Sequence, residues 1–493
     1  MNPPTTLLGQ VRGLLTAAQR AYAGSAQADE VGAIVRRLDE PLRVAIAGKV
    51  KAGKSTLLNA LVGEELAPTN AGECTKIVTW YCDGLTYRVT LHPHEGDART
   101  VPFTRDGGAV DVHLGACDAD SVERLVVEWP SSSLRTMTLI DTPGIASLST
   151  SVSARTHAFL SSSDEQVTPA DAVLYLMRHL HASDIDFLET FHDQEFSQPS
   201  PVNAIAVLSR ADEIGVGRLD AMASAARIAE RYRGDDKVRR LCQTVVPVAG
   251  LLAQSGQGLR EDEYKRFEAL RRAPGAEVDA LLLSADRFAG TPTTATGLTP
   301  IERRDLLDRY GLYGIRVGLA LLRDGEARTS SELADALVAR SGLDQLRAVL
   351  VSQFAARRDT LKARSALLAM EAVLRRAPAP AGAGLESELE RITAGAHEFT
   401  EIRLLNALRS GAVDVRPAEA VVMERLLGGA GASIAARLGV PETASADERR
   451  AALDVELARW QRRAENPLSS REVADAAREL VRTCAGIFVT LQR

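Results

Sequence analysis

Residues 44–47 are an apolar run and residues 57–61 have helix-forming character; between them, Gly48 to Ser55 read GKVKAGKS. This is a GxxxxGKS phosphate-binding loop in strand, loop, helix order. Such a loop holds polyphosphate by chain geometry as much as by charge. Its backbone N–H groups curl around the β-phosphate, and the following helix adds its positive dipole end. Gly48, Ala52, Gly53 and Thr56 would line the cradle, Lys54 would reach the β- and γ-oxygens, and the Ser55 hydroxyl would ligate Mg²⁺.

A phosphate loop alone does not choose between ATP and GTP. Residues 137–140 have a buried-strand pattern and lead into Asp141, Thr142, Pro143, Gly144. In a DxxG turn the Asp holds Mg²⁺ through a water and the Gly N–H senses the γ-phosphate. On an arbitrary loop the same string would be a plain turn. Residues 204–208 run into Ser209, Arg210, Ala211, Asp212, where an [NT]KxD base-reading motif would stand. A carboxylate there accepts two hydrogen bonds from guanine N1 and N2, which adenine does not offer. Arg210 replaces the usual Lys, and its aliphatic stem can still lie against the base plane. The alternative reading is a solvated strand end. Residues 245–248 followed by Ala249 and Gly250 would supply the last strand and a base-contacting backbone turn. Thr75 would be the switch threonine that reaches Mg²⁺ and the γ-phosphate when its loop orders. Thr69 and Thr79 compete with it, and Thr75 is favoured because it directly precedes the strand pattern at 77–81. Together these residues point to a GTP/GDP and Mg²⁺ site.

The chain has 493 residues, a formal charge of -6 and a pI near 5.9. That length calls for several domains, and the acidic balance argues against nucleic acid as a partner. Arg231, Arg233, Lys237, Arg239 and Arg240 stand beside Asp235 and Asp236 and read as a solvated helix face. The five cysteines are scattered with no CxxC pair, which suggests a reducing cytoplasmic setting without a zinc site. No signal peptide and no confident membrane span is read, and a peripheral membrane role stays open.

Helical spacing marks 5–39, with a break at Gly24 and Ser25. From 42 to 248, short apolar runs at 43–47, 77–81, 125–129, 137–140, 172–177, 204–208 and 245–248 alternate with helix-period segments. That alternation implies an α/β doubly wound, mostly parallel sheet. After Gly250 the pattern is helical near 259–273, 276–288, 302–323, 330–340 and 342–376, and again from about 386. The apolar positions at 319–322 and 367–370 read as core.

The segments AGKVKAGKSTLLNALVG, APTNAGECTKIVTW, DTPG, SRADEIGVGRLDAM and VVPVAGLLA resemble bacterial dynamin-like GTPases, and within them the actinobacterial isoniazid-inducible dynamin-like proteins. RYGLYGIR and RSGLDQLRAVL extend the resemblance over essentially the whole chain. It implies a GTPase domain over 41–355 with a helical insertion at about 255–340, N-terminal neck helices over 1–40, and a helical neck and trunk bundle over 356–493. It also implies GTP hydrolysis coupled to G-domain dimerisation and membrane remodelling. The expected partners are a second copy of the chain, a longer dynamin-like paralogue and lipid of the inner leaflet, with the protein cytoplasmic or peripheral at the inner face of the plasma membrane. The rival expectation is a GTP-controlled interaction switch, or a low-activity companion of the paralogue, without membrane contact.

Two departures from the family stand out. Lys51 occupies a position that is typically Ser in dynamins, where the Ser helps to position a charge-compensating monovalent cation. Lys51 either supplies that positive charge itself, as a catalytic group beside Lys54 and Thr75, or faces solvent. Ile145 follows DTPG where Ras-type enzymes carry a water-orienting Gln. The trunk shows no apolar paddle, and Trp460, flanked by cations, is a weak candidate for a membrane-contacting tip.

Overall fold

A computed structural model describes residues 6–68, 77–106, 109–114, 117–143, 170–181, 184–185, 188, 203–379, 384–409 and 411–492. The strands are β1 (Leu42–Gly48), β2 (Val78–Asp83), β3 (Arg88–Pro93), β4 (Arg99–Val101), β5 (Phe103–Asp106), β6 (Ala109–Val112), β7 (Val122–Trp129), β8 (Met137–Asp141), β9 (Ala172–Met177), β10 (Ala204–Ser209) and β11 (Val245–Val248). Nine of them form one sheet in the order β11-β10-β9-β1-β8-β2-β7-β3-β4, and β5 pairs with β6 alone. β1 lies parallel to both β8 and β9, and β10 and β11 continue the parallel run. β2 is antiparallel to β8 and parallel to β7, so the sheet is mixed but mostly parallel, as expected.

β9 and β10 are buried at every residue because helices cover both faces, and this is why they read as unbroken apolar runs. One face packs on Leu57, Leu58 and Leu61 of helix Lys54–Val62 and on Leu343, Leu346 and Phe354. The other packs on Ala225 and Ala229 of helix Ala221–Arg233, with Val238 beside them. Strands β3 to β6 were not anticipated. They are short, rich in Arg, Thr and Asp, and partly exposed, so no apolar run marks them.

Three helical expectations need correction. The pattern at 276–288 splits into Gly275–Leu281 and Ala285–Gly290, with the Ser284 hydroxyl accepting the Arg287 N–H as a new N-cap. Helix Pro300–Arg323 is kinked at Gly311, whose φ of 60° and ψ of 174° lie outside the helical region. The stretch at 342–376 divides into helix Leu343–Val349, a π turn Leu350–Phe354, a 3₁₀ turn Ala355–Arg357 and helix Arg358–Arg376.

Separate cores organise the helices. Leu319, Leu321 and Leu322 are buried in a cluster with Phe267 and Phe288, in line with their reading as core. Helices Leu7–Ala21 and Ala28–Asp39 pack on Arg358–Arg376 through Leu14, Ile34, Leu367 and Met370. A third helical cluster gathers Met423, Leu453, Trp460 and Leu480. Trp460 is therefore no tip: it is 1% exposed, and its indole N–H donates to Glu456 at 3.1 Å.

Polar contacts centred on Asp171 and Glu424 help to join these bodies. Asp171, just before β9, accepts the Arg43 N–H at 2.9 Å and pairs with Arg37 at 2.8 Å and Lys362 at 3.2 Å, tying the sheet to the neck helices. Glu424 pairs with Arg409 at 3.2 Å and also with Arg239, which brings the distal bundle against the sheet domain.

Candidate active site

The phosphate loop is shaped by two glycines. A Cβ on Gly48 (φ 151°) would meet the Leu176 carbonyl oxygen at 2.5 Å, because β1 and β9 run side by side with Gly48 opposite Leu176. Gly53 is left-handed at φ 92° and ψ 26° and serves as N-cap of helix Lys54–Val62. Having no side chain, it leaves the first-turn N–H groups to an anion. Lys51, exposed at the loop apex, is also left-handed at φ 61°, a conformation that costs a residue with a Cβ about 1–2 kcal/mol. The Lys54 ammonium donates to the carbonyls of Gly48 at 3.2 Å and Lys49 at 3.4 Å. Burial lowers its pKa, and Asp141 opposes that shift.

Register brings the metal-binding candidates together. Ile46 of β1 lies opposite Asp141 at the end of β8, and the Ser55 hydroxyl donates to Asp141 Oδ2 at 3.1 Å. Asp141 is half-buried, and desolvation raises its pKa while Lys54 and Ser55 pull it down. Its other oxygen, Oδ1, is buried without a hydrogen-bond partner among the described residues. A carboxylate with an unused buried oxygen, beside a hydroxyl and an ammonium, fits a hard divalent cation with oxygen ligands such as Mg²⁺.

The base-reading candidates lie at the end of β10. The Ser209 hydroxyl donates to the Met177 carbonyl at 3.2 Å. Arg210 is left-handed (φ 52°, ψ 39°), and its guanidinium pairs with Glu213 at 2.9 Å. Its stem flanks the phosphate loop: a Cβ on Gly53 would lie 4.0 Å from Arg210 Cγ. Asp212 sits in the 3₁₀ turn Ala211–Glu213, and burial pushes its carboxyl pKa up.

A cleft is lined by Ala52, Gly53 and Thr56 on one side and by Ser209, Arg210, Asp212 and Gly250 on the other. Residues widely separated in sequence, in the phosphate loop and in the base-reading motif, thus face one cavity. Ala249 is not among them: it is buried, and its N–H donates to the Ser341 carbonyl at 2.8 Å. Thr79, the alternative switch residue, is a buried β2 residue whose hydroxyl donates to the Ile77 carbonyl at 3.3 Å. Thr69, Thr75 and Gly144 lie outside the described residues. Sequence reasoning missed Lys49, Tyr175 and Asp184, which meet beneath the loop. Lys49 was visible only as a variable position of the motif, and no spacing rule links it to an aspartate so far along the chain.

The profile of the "50S ribosome-binding GTPase" family matches residues 43–207. Over 487 residues the chain is 40% identical to the isoniazid-induced protein IniC of two Mycobacterium tuberculosis strains, covering 96% of this chain and 97% of the relative. A 54-residue stretch, 11% of this chain and 8% of the relative, is 43% identical to a bacterial dynamin-like protein of Nostoc punctiforme. A solved structure described as "An oligomerised bacterial dynamin pair provides a mechanism for the long range sensing and tethering of membranes" aligns with 99% of this chain and 74% of its own, at a TM-score of 0.35 and 11% identity.

Proposed function

Since the chain belongs to the IniC family of bacterial dynamin-like GTPases, we propose that it couples GTP hydrolysis to nucleotide-dependent pairing of its GTPase domains and to movement of its helical trunk at the inner face of the plasma membrane. The observation that carries this reading is the shared cleft, with phosphate-loop residues on one wall and Asp212 on the other.

In that cleft the loop N–H groups and Lys54 bind the phosphates, and Asp212 selects guanine. Ser55 and Asp141, with Thr75, would hold Mg²⁺, which when bound neutralises charge on the β- and γ-phosphates. Lys51 adds a positive charge near the transferred group in place of a monovalent cation. Water positioning falls to the Thr75 backbone, since the Ile145 side chain has no polar atom to orient a water. The proposed units are 1–40, 41–355 with its insertion at 255–340, and 356–493. The separate core of the insertion, with Phe267, Phe288 and Leu319, and the polar seam at Asp171 support these boundaries, while the helices of 1–40 share their core with helix Arg358–Arg376.

A second reading, a GTP-controlled interaction switch or companion subunit without membrane contact, draws support from the burial of Trp460. Among the described residues no helix is long and apolar enough to cross a membrane. Liposome flotation and light scattering of the full chain with GDP, a non-hydrolysable GTP analogue and a transition-state analogue separate the two. The first reading expects a dimer and flotation with the triphosphate or transition-state form. A dimer that never floats, alone or with the longer paralogue, supports the second. A chain that stays monomeric in every nucleotide state overturns the proposed pairing.

A further inference from the structure

The structure assigns Asp184 as a positioning residue for the phosphate-binding loop, acting through Lys49. The assignment rests on the nucleotide-site reading above and adds to it the group that fixes the loop's first residue. Asp184 is 1% exposed, and both of its oxygens are engaged. Oδ1 accepts the Tyr175 hydroxyl at 2.7 Å, while Oδ2 accepts the His181 N–H at 2.9 Å and the Lys49 ammonium at 3.1 Å. Tyr175 is a fully buried residue of β9 that pairs in register with Ala47, two positions before Lys49. Burial and the adjacent carboxylate raise its pKa, so the phenol stays a donor. The carboxylate is thus pinned to the strand beside β1, and its remaining valence goes to the loop.

Lys49 begins the loop, and its own carbonyl is a structural hub. That carbonyl accepts the Ala52 N–H at 3.1 Å, closing the turn, and the Lys54 ammonium at 3.4 Å. An ion pair that holds the Lys49 side chain therefore fixes the peptide that locates both the turn and the phosphate-binding lysine. The loop has reason to need an anchor, because Lys51 occupies a left-handed conformation that persists only where the surroundings hold it. Phosphate recognition by backbone N–H groups tolerates displacements of only about 0.5 Å. Lys49 is also removed from direct phosphate contact, since its ammonium is committed to Asp184.

The test is a double-mutant cycle in the full chain with Lys49→Met, Asp184→Asn and the pair. It reads fluorescent-GDP affinity and the KM and kcat of GTP turnover, with thermal melts as the control for folding. If the pair acts as a unit, each single change weakens GDP binding by about tenfold and the double variant binds no more weakly than the poorer single. Lys49→Arg, which keeps the cation, binds close to wild type. A purely structural role would lower the melting temperature without moving affinity measured well below it. Should Asp184→Asn fail to fold, Lys49→Met and Lys49→Arg decide alone: weakening in the first and recovery in the second upholds the anchor, and any other pattern overturns it. Wild-type binding with both singles unaffected, or with penalties that multiply in the double, overturns the anchor while leaving the site reading intact. A wild type that binds no GDP overturns the site reading and the anchor together.

Discussion

Asp212, the residue proposed to choose the base, is the one most open to a chemical swap. Xanthine presents a carbonyl where guanine presents its exocyclic amine, so Asp212→Asn should lose GTP affinity and gain affinity for xanthosine triphosphate, each by at least about tenfold. Competition binding against GTP, ATP and the xanthosine nucleotide reads this directly, and unchanged GTP preference would remove Asp212 from the base site. Because burial raises the Asp212 pKa and only the carboxylate accepts both guanine hydrogens, affinity should begin to fall at a higher pH than for an exposed aspartate. At the loop apex, Lys51→Ser should slow turnover about 10- to 1000-fold in choline and recover with potassium or sodium, while wild type turns over equally in all three. Equal rates for both proteins in all three buffers would end the idea that Lys51 replaces a cation. The strands that lead into the phosphate loop, Asp141 and Asp212 were legible because each is a largely buried apolar run. Asp184 was not, because a positioning residue is defined by what it touches and carries no spacing of its own.

Among the elements, the seam between the sheet and the neck rests on Asp171. It lies one residue ahead of β9, which runs on to flank the phosphate loop, and it meets Lys362, whose ammonium also donates to the carbonyls of Arg37 and Pro41 at 2.9 Å each. Burial alone would raise the Asp171 pKa, yet Arg37, Lys362 and the Arg43 N–H hold it below the usual range. Asp171→Ala leaves the 1% exposed Lys362 without its counter-charge and should cost about 3–5 kcal/mol, read as a shift of the denaturation midpoint. A change of less than about 1 kcal/mol would show the seam to be energetically idle. The parallel strands and long helices were legible from periodicity, since burial on two faces or one stripe writes itself into the pattern. Kinks were not: Gly311 and the π turn Leu350–Phe354 interrupt helices without breaking the apolar stripe. β4 to β6 escaped because edge and hairpin strands need few apolar residues, and β3 because only Val89 and Leu91 mark its buried face.

At the scale of the whole molecule, contacts between bodies hold the distal helices, and such contacts leave the weakest trace in sequence. Arg239 and Glu424 meet across 185 positions of chain, and nothing in either segment names the other. Within the distal bundle Glu401 gathers Arg437, the Thr483 hydroxyl at 2.7 Å and His397 at 3.4 Å. Burial would raise its pKa, but these partners carry it from 4.5 down to about 2. A depressed carboxylate pKa contributes stability that is complete above the unfolded value and is lost as pH falls. Acid should therefore remove about 3 kcal/mol from the distal bundle between roughly pH 4.5 and 2. Glu401→Gln should flatten that part of the stability profile, and an unchanged acid limb would assign the loss to other carboxylates. The central claim is that the two walls of one cleft form a guanine-nucleotide hydrolase site, and steady-state turnover of the full chain tests it most directly. The expected result is Mg²⁺-dependent conversion of GTP to GDP and phosphate, abolished by Lys54→Ala, with ATP untouched. Turnover of ATP at the same rate, or GTP turnover that survives Lys54→Ala, would contradict it.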